Sequence, residues 1–181
     1  MLAKIARAAF AAAIATSGAA YAAERYDFGR PVTPAEIAGW DIDVSPDGAG
    51  LPPGHGDVRK GEAIFAEKCA SCHGAHGEGK PMERLVGGIG TLRDKRPEKT
   101  VGSYWPYATT LFDYVHRAMP LNAPQSLTPD EVYAVSAYVL FLNGIVPQDT
   151  TLDADTLAKI KMPNRDGFVS AYPPPGAGAK P

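Results

Sequence analysis

The sequence predicts an all-α domain with an N-terminal arm before it and an extended tail after it. Three observations predict this. Apolar residues recur at helical spacing over 56–68, 106–118 and 128–142, with capping residues at the start of the last of these. No alternation of strand and helix patterns suggests a βαβ unit. Both cysteines of the chain lie in one run, Cys69-Ala70-Ser71-Cys72-His73, at the end of the first helical pattern.

That run is the chemical centre of the sequence. Cys-x-x-Cys-His reads as covalent attachment of a c-type haem. Two thiols on one turn can each add to a vinyl group of a single porphyrin, and the adjoining His73 can reach the iron from one face. A disulfide or a thioredoxin-type redox pair is the other reading of Cys-x-x-Cys, but the following histidine and the missing βαβ pattern disfavour it. A zinc site would need further ligands, and only His55, His76 and His116 remain.

The chain has 181 residues, 45% of them apolar and 21% charged, which suits one globular domain with extensions. Residues 1–22 look like a signal peptide. Lys4 and Arg7 form its basic start, Ala8 to Ala15 its apolar segment, and Ala20-Tyr21-Ala22 a small-x-small cleavage site. Export and haem attachment support each other, because bacteria attach this haem outside the cytoplasmic membrane; the expected location is the periplasm. The formal net charge of −2 becomes more acidic once Lys4 and Arg7 are removed, which argues against non-specific nucleic-acid binding. The mature chain shows no apolar run of the ~20 residues a membrane helix needs.

Residues 23–55 form the arm. Thr33-Pro34-Ala35-Glu36 is a capping box with proline at the first helical position, starting a short helix to about Gly39. Asp41-Ile42-Asp43-Val44 alternates as an extended piece does, and Ser45-Pro46-Asp47-Gly48 is a turn. Ile37, Trp40 and Ile42 are the expected anchors of the arm on the following domain, and a contact surface for a partner subunit is the companion reading.

Residues 56–147 form the haem domain. Gly56 to Lys68 is expected to be a helix with Val58, Gly61, Ile64 and Phe65 on one face. Gly61 is costly inside a helix, so a close helix crossing is expected there. The stretch from Gly74 to Pro81 must be a loop, with His76 solvated. The carbonyl of Pro81 or of a neighbour is the expected acceptor for His73 Nδ1–H, a bond that would orient the imidazole. The glycines of Leu85 to Leu92 bring apolar side chains over a porphyrin with little bulk; no leading strand and no P-loop lysine favour a phosphate site. Arg93 to Lys99 is a charged surface connector.

Tyr104-Trp105-Pro106-Tyr107 is expensive to expose and begins a helix expected from Pro106 to about Ala118, with Leu111, Phe112 and Val115 buried. His116 and Arg117 suit its last turn, where cations favour the helix dipole, and His116 is expected at the surface. Pro120 forces Met119 out of the helix and onto a loop, where a thioether could be presented to iron. Met82, close behind His73, and Met162, after the last helix, are its competitors. Thr128-Pro129-Asp130-Glu131 caps a helix with Val132, Val135, Tyr138, Val139 and Leu142 on its apolar face, stopped by Asn143-Gly144. Residues 148–181 read as a strap with one short helix, Leu152 to Ile160, and a disordered proline-rich end.

These residues resemble two families. The Gly61, Phe65, Cys69 spacing and a methionine loop before the last helix are similar to class I cytochromes c. That likeness implies the class I cytochrome c fold, with the first and last helices crossed and Tyr138 or Tyr133 against Phe65. It implies Met119 as the second iron ligand, and Tyr104 and Trp105 as hydrogen-bond partners of the haem propionates, with core packing as the other role for these two. The segments Thr33 to Val44, Pro46 to Gly54, Tyr104 to Tyr114, Arg117 to Pro120 and Met162 to Phe168 resemble SoxD-type cytochromes, the c-type subunits of periplasmic molybdenum sulfite-oxidase-like dehydrogenases. Full-length SoxD proteins are typically two-haem, whereas this chain has one haem motif.

The resemblance implies a monohaem electron-transfer protein rather than an enzyme. It would accept electrons from a molybdopterin dehydrogenase subunit acting on an inorganic sulfur compound and pass them to a downstream cytochrome or oxidase. A free soluble shuttle is the alternative within the same chemistry. A haem catalyst with a vacant sixth position is the alternative from another class.

Overall fold

A computed structural model describes residues 29–172. The expected signal peptide and the end of the tail from Pro173 lie outside the described residues. The chain divides into two units, residues 1–37 and residues 38–181. In the first, Thr33 and Glu36 form the expected capping box: Glu36 Oε2 accepts from Thr33 N at 2.8 Å and Thr33 Oγ1 from Glu36 N at 3.3 Å. They start the helix α1, Pro34–Ala38. Arg30 pairs with the Glu36 carboxylate, and that pairing, with the Thr33 bonds, holds the carboxyl down at about 2.

The second unit is built on two crossed helices, α2 (Val58–Lys68) and α6 (Pro129–Leu142). Asp57 caps α2 by accepting from Lys60 N at 2.8 Å. Thr128 and Glu131 cap α6 reciprocally, with Pro129 at its first position. At the crossing a side chain on Gly61 would collide with the backbone carbonyl of Ala134 and lie 2.8 Å from Tyr138 Cβ. Glycine is therefore what lets the two backbones approach. One turn on, the Phe65 and Tyr138 rings meet at 5.4 Å with planes tilted by 58°. The expected aromatic partner is thus Tyr138; Tyr133 packs instead on Phe112 at 4.5 Å.

Helix α6 is more enclosed than a one-sided stripe predicts. Every residue from Val132 to Leu140 is buried, because the helix packs against α2, the helix Ala108–Ala118 and two short strands. The strands, β1 (His55–Asp57) and β2 (Thr151–Asp153), pair antiparallel with Gly56 opposite Leu152. They were not expected, since three-residue strands carry no readable periodicity. They also shorten the helix expected from Leu152 to Ile160, which is α7, Ala154–Leu157, capped by Asp153.

Between these lie α3 (Ala70–His73), a 3-10 turn at Thr91–Arg93, α4 (Val101–Tyr104) and α5 (Ala108–Ala118). The charged connector therefore ends in a helix that the sequence did not signal. Its box is Thr100 with Ser103, a serine standing where the usual signature has glutamate or glutamine. Helix α5 begins after the expected Pro106, because Tyr107 is extended and forms a bridge with Lys161. Residues 41–44 alternate between exposed and half-buried as expected. The expected anchor Trp40 is 85% exposed, however, and Ile37 is also exposed. Val44 and Leu51 pack at the edge of the core instead.

Candidate haem-binding site

Helix α2 delivers the Cys69-to-His73 run. Cys69 ends α2, its N–H bonded to Phe65 O, and starts the tight turn of α3. His73 N–H closes that turn on Cys69 O at 3.0 Å. Gly74 comes next at φ 84°, a conformation open to glycine, and turns the chain back. The returning loop is stitched to α3 by its backbone: Gly79 N donates to His73 O at 2.7 Å and Met82 N to Cys72 O at 2.9 Å.

The loop also sets the imidazole. His73 Nδ1 lies 2.8 Å from Glu83 O. A carbonyl can only accept, so Nδ1 carries the proton and Nε2 is left with a lone pair for a metal. The acceptor is two residues beyond Pro81, as the returning chain passes the ring. His76 is exposed, as expected.

The two cysteines are not joined in a disulfide, and both are half-buried. Burial pushes the Cys69 thiol up to about 11, Lys68 opposing the rise and Cys72 adding to it. This seat disfavours a thiolate and suits a neutral thioether, the form that Cys69 takes when joined to haem.

The glycine-rich loop after Arg84 is held from outside itself. Gly87 N donates to Asn143 Oδ1 at 3.1 Å, and Gly87 O accepts from Thr100 Oγ1 at 2.6 Å. Asn143 Nδ2 also donates to Leu85 O at 3.2 Å and to Val139 O at 2.9 Å. A side chain built on Gly87 or Gly90 would meet open space. Leu85 is half-buried and Ile89 is 50% exposed beside these bare positions. Thin backbone, open volume and incompletely covered apolar side chains fit a flat apolar group. Asn143 is a site residue that the sequence marks only as a helix stop. The signal for it is an amide-bearing cap directly after a fully apolar helix.

The three methionines of the described residues separate by burial. Met162 is 1% exposed and part of the core, and Met82 is 42% exposed on the loop tied to Cys72. Met119 ends α5 in an extended conformation (φ −116°, ψ 144°), half-buried at the core's edge. His116 departs from the expected surface position. It is half-buried on Phe112, 5.7 Å between rings, and its Nδ1 is buried without a hydrogen-bond partner. The turn of α5 that carries it packs inward with Val115, which overrides the preference of a cation for the solvated helix end.

Tyr104 and Trp105 are half-buried. Tyr104 meets Phe168 edge-on at 5.2 Å, with Lys99 Nζ 5.0 Å from its ring centre. Trp105 meets Tyr114 edge-on at 5.7 Å. The strap passes beside them: Asn164 Nδ2 donates to Tyr104 O at 2.7 Å, and the Arg165 guanidinium lies over Tyr107 at 4.2 Å.

A helical frame that presents paired thiols and a metal-ready imidazole beside thin, open loops belongs to the class of c-type haem proteins. Known proteins agree with that class. Residues 58–143 match the family described as Cytochrome c. The crystal structure of the sulfane dehydrogenase SoxCD from Paracoccus pantotrophus is similar at 48% identity and a TM-score of 0.77, covering 80% of this chain and 72% of that one. The thiosulfate dehydrogenase of Stutzerimonas stutzeri (strain A1501) is 29% identical over 112 residues, 61% of this chain and 35% of its own. The chain thus spans about a third of the length of that curated relative. The chain belongs to the cytochrome c family, with the class I fold, and is an electron-transfer domain carrying one covalently attached haem c.

Proposed function

We propose that this chain is a periplasmic monohaem electron carrier. It takes electrons from a molybdenum sulfite-oxidase-like dehydrogenase acting on an inorganic sulfur compound and delivers them to a downstream cytochrome or oxidase of the respiratory chain. Bound haem supplies a one-electron couple. Cys69 and Cys72 would hold it covalently, and His73 Nε2 and the Met119 thioether would ligate its iron. Tyr104 and Trp105 would offer hydrogen bonds to its propionates. Ligation of the iron by two side chains of the chain would leave no place there for a substrate. Histidine and methionine ligation raises the potential, which suits accepting electrons from a dehydrogenase. Residues 1–22 are removed on export.

The observation that supports the sulfur assignment is the reach of the likeness to SoxCD. It covers 80% of the chain, so it extends beyond the 58–143 segment matched by the general family into the flanking segments. Those flanks carry the features that distinguish this chain from a bare haem domain. The relative named thiosulfate dehydrogenase points to the same class of chemistry.

The ferric spectrum tests the ligand set. The wild-type protein should show a thioether charge-transfer band at the red end, which Met119→Ala abolishes and Met162→Ala leaves in place. The opposite pattern, or ready binding of carbon monoxide by the wild-type ferrous protein, would remove the basis for a closed electron-transfer site. Reduction of the protein by a co-purifying molybdenum dehydrogenase plus sulfite or thiosulfate tests the donor, and a donor that needs neither would refute the sulfur assignment.

A further inference from the structure

Helix α5 carries Thr109, Asp113 and Arg117 at successive four-residue intervals, so the three share one face. Each grips the segment 43–46. Thr109 Oγ1 donates to Pro46 O at 3.3 Å, Asp113 Oδ1 accepts from Val44 N at 3.0 Å, and Arg117 Nη2 donates to Asp43 Oδ1 at 2.6 Å. The segment therefore runs antiparallel along α5 and reaches the helix end at Arg117. Asp113 also accepts from Arg117, at 2.9 Å from Nη2 and 3.4 Å from Nε.

This clamp closes on the last turn before Met119. The chain beyond Met119 does little to hold it, because every residue from Leu121 to Ser126 is exposed and the backbone is not buried again until Leu127. The placement of Met119 thus depends on the helix that precedes it. Resting on the reading of Met119 as an iron ligand, we propose that Arg117, held by Asp113 and by Asp43, is the positioning residue for the Met119 thioether. Asp113 is the hub: it serves both Arg117 and the Val44 amide, and its side chain is 26% exposed. The Asp43 side chain is 79% exposed, so solvent screens that arm of the clamp.

The readout is displacement of the thioether by imidazole, titrated spectroscopically on the ferric holoprotein. Loss of the charge-assisted contacts between these two side chains should tighten imidazole binding roughly tenfold in Arg117→Ala and Asp113→Ala. Arg117→Lys should recover part of the difference, and Asp43→Ala should stay within about twofold of wild type. Asp113→Asn, which keeps the shape of the side chain, stands in should either alanine variant fail to fold. Asp153→Ala, which uncaps α7, should lower the melting temperature without changing imidazole affinity. Wild-type imidazole affinity in the Arg117 and Asp113 variants, with Met119→Ala binding it more tightly, would overturn the clamp and leave the ligand assignment standing. A Met119→Ala protein with unchanged spectrum and imidazole affinity would overturn the ligand assignment itself.

Discussion

The helix crossing and the glycine-rich loop are held by opposite means. Where α2 crosses α6, the contact is one of shape. Gly61 lies against the Ala134 backbone and Phe65 against Tyr138, and the polar link between the two helices, Lys68 Nζ donating to Glu131 Oε1 at 3.2 Å, lies a turn away from Phe65. At Gly87 the contact is polar: Asn143 and Thr100 hold its N–H and its carbonyl from separate elements. The crossing is a rigid frame that tolerates neither added nor missing volume. The loop is a thin surface that can be placed without bulk because distant side chains supply its bonds. A site that must admit a flat apolar group needs both, a frame to fix the thiols and a loop that fills no space.

The difference predicts unequal responses to mutation. Phe65→Ala should be the most damaging, because it removes a ring that is 1% exposed from a packed crossing. A cost of about 3–5 kcal/mol is expected, read by denaturant unfolding. A cost under about 1 kcal/mol would mean that the crossing is loosely packed and that shape does not carry it.

Asn143→Ala should come next. It removes one acceptor and two donated bonds at a residue that is 8% exposed, at about 1–3 kcal/mol. The signature is local. Amide exchange at Gly87 should accelerate while the centre of α6 stays protected. Equal acceleration in both would merge the two regions into one cooperative unit and erase the contrast.

The same contrast explains what was legible in the sequence. Helices α1, α2 and α6 announce themselves by caps and by apolar spacing, which are local signals, and Gly61 announced the crossing because glycine inside a helix demands a reason. The thiols and His73 were legible because their chemistry lies in five consecutive residues. Asn143 and Thr100 were not legible as partners, since each acts on a residue more than ten positions away through a bond that no pattern marks. Trp40 and His116 depart from expectation in opposite directions. Asp43 and Val44 are held by Arg117 and Asp113, whereas Trp40 is left exposed. Packing on Phe112 draws His116 inward. Helix α4 escaped because Ser103 replaces the expected acid, and β1 and β2 because three residues are too few to alternate.

The smallest expected effect lies where the two kinds of contact meet. Tyr133 is ring-packed on Phe112 and 0% exposed, yet its hydroxyl reaches the half-buried Pro52 carbonyl at 2.8 Å. Tyr133→Phe keeps the shape and removes the bond. At neutral pH it should cost about 1 kcal/mol, since water can reach the carbonyl left behind. The pH dependence is more informative. Burial, with a further contribution from Asp153, raises the phenol to about 12 from its ordinary value of 10. A raised pKa favours the protonated folded form, so this stabilisation is complete below pH 10 and is lost as pH rises from about 10 through about 12. The wild-type protein should lose stability across that window more steeply than Tyr133→Phe, which has no phenol to ionise at this position. Identical alkaline limbs would mean that solvent already reaches the hydroxyl, and that the bond to Pro52 belongs with the polar contacts of the loops rather than with the packed frame.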